Sequence, residues 1–213
     1  MDTKGCLADS RIERKKRETR QKIVQVAMNL FSSQGFNNTT MEQIADETDI
    51  ARKTLYNYFS VKEAIVDEYV RGISKELAEE ALEAVENLPD IRSRLLLALD
   101  HAYAWVENNP EIAGICINYR LRNMLVSSET ENNETGTQSI LTHIITLSQQ
   151  SGEIRTDIPV KLMVEHMDLL RSTMTFQWLK DPAGFDLHEE IVSRVDLFLY
   201  GAMSQANNHE KLD

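Results

Sequence analysis

Gly35-Phe-Asn-Asn-Thr-Thr-Met-Glu-Gln-Ile-Ala-Asp-Glu-Thr-Asp-Ile-Ala-Arg-Lys-Thr-Leu-Tyr-Asn-Tyr-Phe-Ser-Val-Lys-Glu63 decides the fold of this chain. Gly35 sits where a helix needs a left-handed stop, and Phe36 follows it in position to pack back onto the last turn. Thr40 with Gln43 three residues later is a capping-box pattern that starts a second helix, carrying Ile44 and Ala45 inward and ending near Thr48. Asp49 and Ile50 fill a tight turn. A short third helix over about Arg52 to Phe59 turns Leu55, Tyr58 and Phe59 inward and leaves Arg52, Lys53, Thr54, Tyr56 and Asn57 for the outside. Ser60 and Glu63 repeat the capping-box pattern and start a longer helix running to about Val85. Two short helices follow each other too closely to build a core of their own, so the stretch reads as a helix-turn-helix, which places its second helix in a DNA major groove.

Upstream, Ile23, Val24, Ala27, Met28, Leu30 and Phe31 recur at helical spacing between Arg17 and Gln34, giving a first amphipathic helix. Before and into it, Arg11, Arg14, Lys15, Lys16, Arg17, Arg20 and Lys22 stand against only Glu13 and Glu18. This run reads either as a basic arm that meets phosphates or as a solvated helix start. The net charge of −11 at first argues against a nucleic-acid partner, because Lys and Arg supply most non-specific affinity for the backbone. Its distribution reverses that argument. Residues 1–70 hold 11 Lys/Arg and 11 Asp/Glu, so the entire excess of acid falls on the remainder.

Downstream the chain reads as helical throughout. Pro89, Pro110, Pro159 and Pro182 all fall where helices start or stop, and the periodicity places helices near Ile91 to Asn108, Glu111 to Val126, Thr137 to Gln150, Val160 to Lys180 and His188 to Ser204. The polar segment from Ser127 to Gly136 reads as a mobile loop. The expected fold is all-α, with a basic N-terminal arm over 1–16, a three-helix DNA-binding domain over 17–62 and a helical effector-binding and dimerisation domain over 63–213.

Other function classes lack support. Cys6 and Cys116 lie in unrelated segments without metal-ligand spacing, so neither a disulfide framework nor a zinc site is expected, and a reducing cytoplasm fits. There is no apolar leader and no run of roughly 18 apolar residues, so no membrane association is expected. No Gly-x-Ser-x-Gly, phosphate-cradling glycine loop or His-Glu-x-x-His occurs, so neither an enzyme nor a cofactor is expected.

Around Thr39-Thr-Met-Glu-Gln-Ile-Ala45 and Thr54-Leu-Tyr-Asn-Tyr-Phe-Ser-Val-Lys-Glu63 the chain resembles the TetR family of one-component transcriptional regulators, closely over residues 17–70 and in layout beyond. The resemblance implies a homodimeric regulator of a double-stranded, pseudo-palindromic operator, a repressor released by a small-molecule effector that remains unidentified. The alternative is a DNA-binding adaptor or architectural protein governed by a protein partner. Two residues depart from the family pattern. Asp49 stands where the turn usually has glycine, which aspartate tolerates through its enrichment in left-handed backbone; Ala51 stands where a serine usually caps the recognition helix, so that cap is missing.

Arg52 and Lys53 can reach guanine O6 and N7 or a phosphate, Thr54 a base edge or methyl group, and Asn57 lies on the same outer side. Tyr56 resembles the family's phosphate- or thymine-contacting tyrosine, whereas Tyr58 and Phe59 read as packing. Thr40 and Lys62 open helices whose N-termini favour phosphate, although capping alone also explains Thr40. In the helical domain, His101, Asn118, His143, His166, Arg171 and Gln177 are the polar candidates for orienting a mainly apolar ligand. The histidines lack i, i+4 partners, so no metal site is expected. Apolar stripes of Leu162, Met163, Met167, Leu170 and Met174, and of Ile191, Val195, Phe198, Leu199 and Ala202, are expected to form a four-helix interface between two subunits.

Overall fold

The computed structural model describes residues 3–126 and 135–201, with side chains from 11–123 and 135–201. Among these residues the chain forms nine helices and no strand: α1 (Thr3–Gln34), α2 (Met41–Thr48), α3 (Arg52–Tyr58), α4 (Lys62–Glu86), α5 (Ile91–Asn108), α6 (Pro110–Val126), α7 (Gly136–Gln150), α8 (Val160–Lys180) and α9 (Leu187–Tyr200). No helix among the described residues is long and apolar enough to cross a membrane. Two compact units result. One holds residues up to Val70 together with Asn118–Leu125; the other holds Arg71–Ile117 and the rest, so α4 and α6 each contribute to both. The expected boundary at 62/63 falls inside the first unit, and the expected arm over 1–16 is, from Thr3 onward, helical and continuous with α1.

In the first unit, Ile23, Ala27 and Phe31 of α1, Ile44 and Ala45 of α2, Leu55 of α3 and Ile65 and Val66 of α4 are buried and supply its small apolar core. Gly35 takes φ +88° and donates its N–H to Phe31 O at 3.0 Å, and the Phe36 ring packs 4.9 Å from that of Phe31. Asp67, buried, receives Arg120 Nε at 2.5 Å, tying α6 to α4 within this unit.

The second unit buries Leu95, Leu99 and Tyr103 of α5, Leu141, Ile144 and Ile145 of α7, Met163, Met167, Met174 and Trp178 of α8, and Ile191 and Val195 of α9 in one cluster. This corrects the expected dimer stripes. Met163, Met167, Met174, Ile191 and Val195 are spent on the subunit's own core, with Leu170, Phe198 and Leu199 packed partly against it, while Leu162, Leu169, Leu197 and Tyr200 are the large apolar residues exposed on α8 and α9. Both sides of α8 carry apolar residues, so periodicity alone selected the wrong one. Ala202 and Ser127–Glu134 lie outside the described residues, so the expected loop and the expected end of the last helix at Ser204 do too; Thr135 and Gly136, also assigned to that loop, cap and begin α7.

Two polar devices fix the helices of this unit. Arg94, buried, donates to Glu153 Oε1 at 2.7 Å and to Leu88 O at 2.9 and 3.1 Å, while Glu153 also accepts from Ile91 N and Ser151 Oγ. Burial of Glu153 opposes its ionisation, but the bonds from Arg94, Ser151 and Ile91 outweigh this and hold its carboxyl below the ordinary glutamate value. At the start of α7, Gly136 N donates to Ser74 Oγ at 3.0 Å, and the two backbones lie so close that a Cβ at residue 136 would fall 1.9 Å from Ser74 O.

Candidate nucleic-acid interface

The helix-turn-helix is held by local bonds that leave its outer face free. Thr40 Oγ accepts from Gln43 N at 3.2 Å while Gln43 Oε1 accepts from Thr40 N at 2.8 Å, closing the reciprocal capping box at the start of α2. α2 ends with Asp49 at φ 60°, ψ 48°, where Asp49 N donates to Asp46 O and Ile50 N to Ala45 O, a Schellman motif built on aspartate in place of glycine. Lys22 Nζ donates to Thr48 O at 2.7 Å and so satisfies a further terminal carbonyl. Ala51 provides no side-chain cap for α3, as its missing hydroxyl requires. On α3, Leu55 and the adjoining Phe59 are buried, Thr54 and Tyr58 are half-buried, and Arg52, Lys53, Tyr56 and Asn57 are exposed.

Lys62 has a different setting from the others. Its Nζ donates to Phe36 O at 2.7 Å and Thr39 O at 2.6 Å and lies 4.4 Å from the Phe36 ring centre, leaving one ammonium proton uncommitted. Thr40 is exposed, and its oxygen already accepts from Gln43, so its hydroxyl proton remains for a further acceptor.

Part of the basic run of α1, which the sequence offers either as a phosphate-meeting arm or as a solvated helix start, flanks α3. Lys16, Arg17 and Arg20 line an open groove of about 610 Å³ with Glu13, facing Thr54, Asn57 and Tyr58. The spacing 13, 16, 17, 20 places all four on one side of a helix, a signal present in the sequence, but the side they face depends on how α1 packs. Lys16 Nζ is 2.9 Å from Glu13 Oε1, and that bond and charge raise the Lys16 ammonium above its ordinary value. Arg20 pairs with Glu68 at 3.0 Å and stacks 4.5 Å from the Phe59 ring centre.

The six polar candidates for a ligand site are dispersed. His143 lines a groove between α4 and α7 with Lys75, Glu79, Leu82, Thr135 and Ser139, its Nε2 3.1 Å from Glu86 Oε1. His101 faces Glu80 at 3.8 Å. Arg171 is paired with Asp168 at 2.9 Å, whose other oxygen accepts from Gln138. Gln177 is exposed and accepts from Arg194, His166 is exposed with Nδ1 against Leu162 O, and Asn118 is exposed in the first unit. No cluster of three or more potential metal ligands occurs among the described residues.

A capped helix-turn-helix that turns a short polar and cationic helix outward defines a DNA-binding protein of the helix-turn-helix class. Residues 23–69 match the family described as bacterial regulatory proteins, tetR family. The chain is 23% identical over 202 residues to the HTH-type transcriptional regulator YdgC of Bacillus subtilis, covering 90% of this chain and 96% of that one. It is 27% identical over 146 residues to the HTH-type transcriptional repressor KstR2 of Rhodococcus jostii, covering 67% and 71%. Its fold matches that of Thermus thermophilus FadR, a TetR-family transcriptional repressor solved in complex with lauroyl-CoA, with a TM-score of 0.69, 21% identity and coverage of 87% and 96%. Residues 23–69 thus carry a DNA-binding region like that of the tetR family, and the chain is a DNA-binding transcriptional regulator.

Proposed function

We propose that this regulator is a homodimeric repressor whose hold on its operator is released when a small molecule binds the helical second unit. The observation that carries the reading is the outward face of α3: Arg52, Lys53, Tyr56 and Asn57 are exposed together on a helix whose other side is locked by Leu55. Arg52 and Lys53 read guanine or grip a phosphate, Thr54, Tyr56 and Asn57 meet base edges, methyl groups or backbone, and Thr40 and the remaining proton of Lys62 meet phosphates at helix N-termini. Exposed Leu162 and Leu169 on α8 and Leu197 and Tyr200 on α9 supply apolar surface for a second copy.

Two recognition helices must meet successive major-groove faces about 34 Å apart, so an effector that binds better to a dimer with another spacing weakens the operator complex. The fold shared with a repressor solved in complex with lauroyl-CoA makes long-chain acyl-CoA the first class to test. Fluorescence anisotropy on a duplex selected from random DNA, titrated with lauroyl-CoA and with other acyl chains, is expected to show falling affinity with one of them. Operator affinity unmoved by an acyl-CoA that calorimetry shows to be bound would refute the acyl-CoA switch.

A further inference from the structure

We infer that the groove between α1 and α3 is a second phosphate site, one that grips the DNA backbone beside the bases that α3 reads. This rests on the DNA-reading role of α3 proposed above. Three cations, Lys16, Arg17 and Arg20, and one carboxylate, Glu13, form the α1 wall of an opening of about 610 Å³, and its other wall is Thr54, Asn57 and Tyr58 of the recognition helix. The cations differ in what they can give. Lys16 is held by Glu13 and Arg20 by Glu68 and the face of Phe59, so the charge of each is offset by a carboxylate. Arg17 is exposed and has no carboxylate partner among the described residues, so its guanidinium keeps the full planar fork that matches two oxygens of one phosphate.

Position selects the phosphodiester over the base. When α3 lies in the major groove, the wall beside it meets the strand that borders that groove, and contacts there fix register without reading sequence. Thr54 and Asn57 are short neutral donors suited to the same oxygens, so one side of α3 can be anchored while the other reads. The cationic run of α1 thereby extends the DNA contact outward from the half-site.

The test uses the full chain and three variants, Arg17→Ala, Lys15→Ala and Arg52→Ala. Lys15 is equally exposed on α1 but does not line the groove. Anisotropy is measured across a salt series on the duplex selected from random DNA, with long flanks and with flanks trimmed to the half-sites, and on a scrambled duplex. Arg17→Ala is expected to make log affinity against log salt shallower by about 0.9 for each phosphate that is no longer neutralised, on selected and scrambled duplex alike. Wild type is expected to lose affinity on trimming, and Arg17→Ala to be nearly indifferent to it. Equal slopes for Arg17→Ala and Lys15→Ala overturn the site in favour of a diffuse positive field. No change with Arg17→Ala while Arg52→Ala weakens the selected duplex overturns the groove and keeps the reading head. No change with either variant removes both.

Discussion

Lys62 commits two of its three ammonium protons to the carbonyls of Phe36 and Thr39, bridging the end of the α1–α2 connection from the start of α4. Removing it leaves both carbonyls without that donor, and hydrogen bonds to a charged group contribute about 1.5–3 kcal/mol each. Water can replace part of this at a half-buried site. Lys62→Ala is therefore expected to destabilise the protein by about 1–3 kcal/mol in urea unfolding, so its weaker DNA binding mixes folding with direct contact. Arg52→Ala and Lys53→Ala are the contrast. Both side chains are exposed, so stability is expected to move by less than about 0.5 kcal/mol, while affinity for the selected duplex falls by about 1–3 kcal/mol where the residue reads a base. Gly35, the Thr40 capping box and the left-handed Asp49 were legible in the sequence because each acts within five residues of itself. The bonds of Lys62 span 23 and 26 residues, and no local pattern announces them.

Among the helices, the start of α7 against α4 is the tightest backbone approach that a glycine permits here. A Cβ on residue 136 would lie 1.9 Å from Ser74 O, 2.2 Å from Ser74 C and 2.4 Å from Lys75 N, all main-chain atoms that cannot swing aside. Gly136→Ala is expected to push the two helices apart and cost at least the roughly 1–3 kcal/mol typical of overpacking. Gly72, inside α4, has open space around it, so Gly72→Ala is expected to stabilise by about 0.4–1 kcal/mol through reduced entropy of the unfolded chain. Paired urea titrations decide both signs. The prolines and caps made most helix limits readable, and α5 and α8 run over the expected residues. Rotation about each axis was not readable: α8 has Leu162 and Leu169 outside and Met163 and Met167 inside, and hydrophobicity alone does not rank them.

For the molecule as a whole, Glu153 is one of four carboxylates, with Asp90, Asp157 and Asp196, whose lowered values tie stability to the acid side. Its carboxyl is lowered in the folded protein relative to the ordinary value of 4.5, so its contribution is complete above about pH 5 and fades as pH falls through the folded value. Thermal melting between about pH 3 and 7 is expected to show this decline, and Glu153→Gln to flatten that part of it while lowering stability at pH 7. Assembly has its own check: Leu169→Glu with Leu197→Glu is expected to shift sedimentation from dimer to monomer while keeping helical content, since both side chains are exposed in the single chain. The polar effector candidates are scattered over α5 to α8 because a pocket is a property of several packed helices, and no single segment of sequence encodes it. The pairing of Arg120 with Asp67 bears on how the chain is made. The first unit takes in Asn118–Leu125, so a ribosome must release some fifty residues of the second unit before the reading head can close its buried carboxylate on this arginine, and a fragment cut at Val70 would lack that bond.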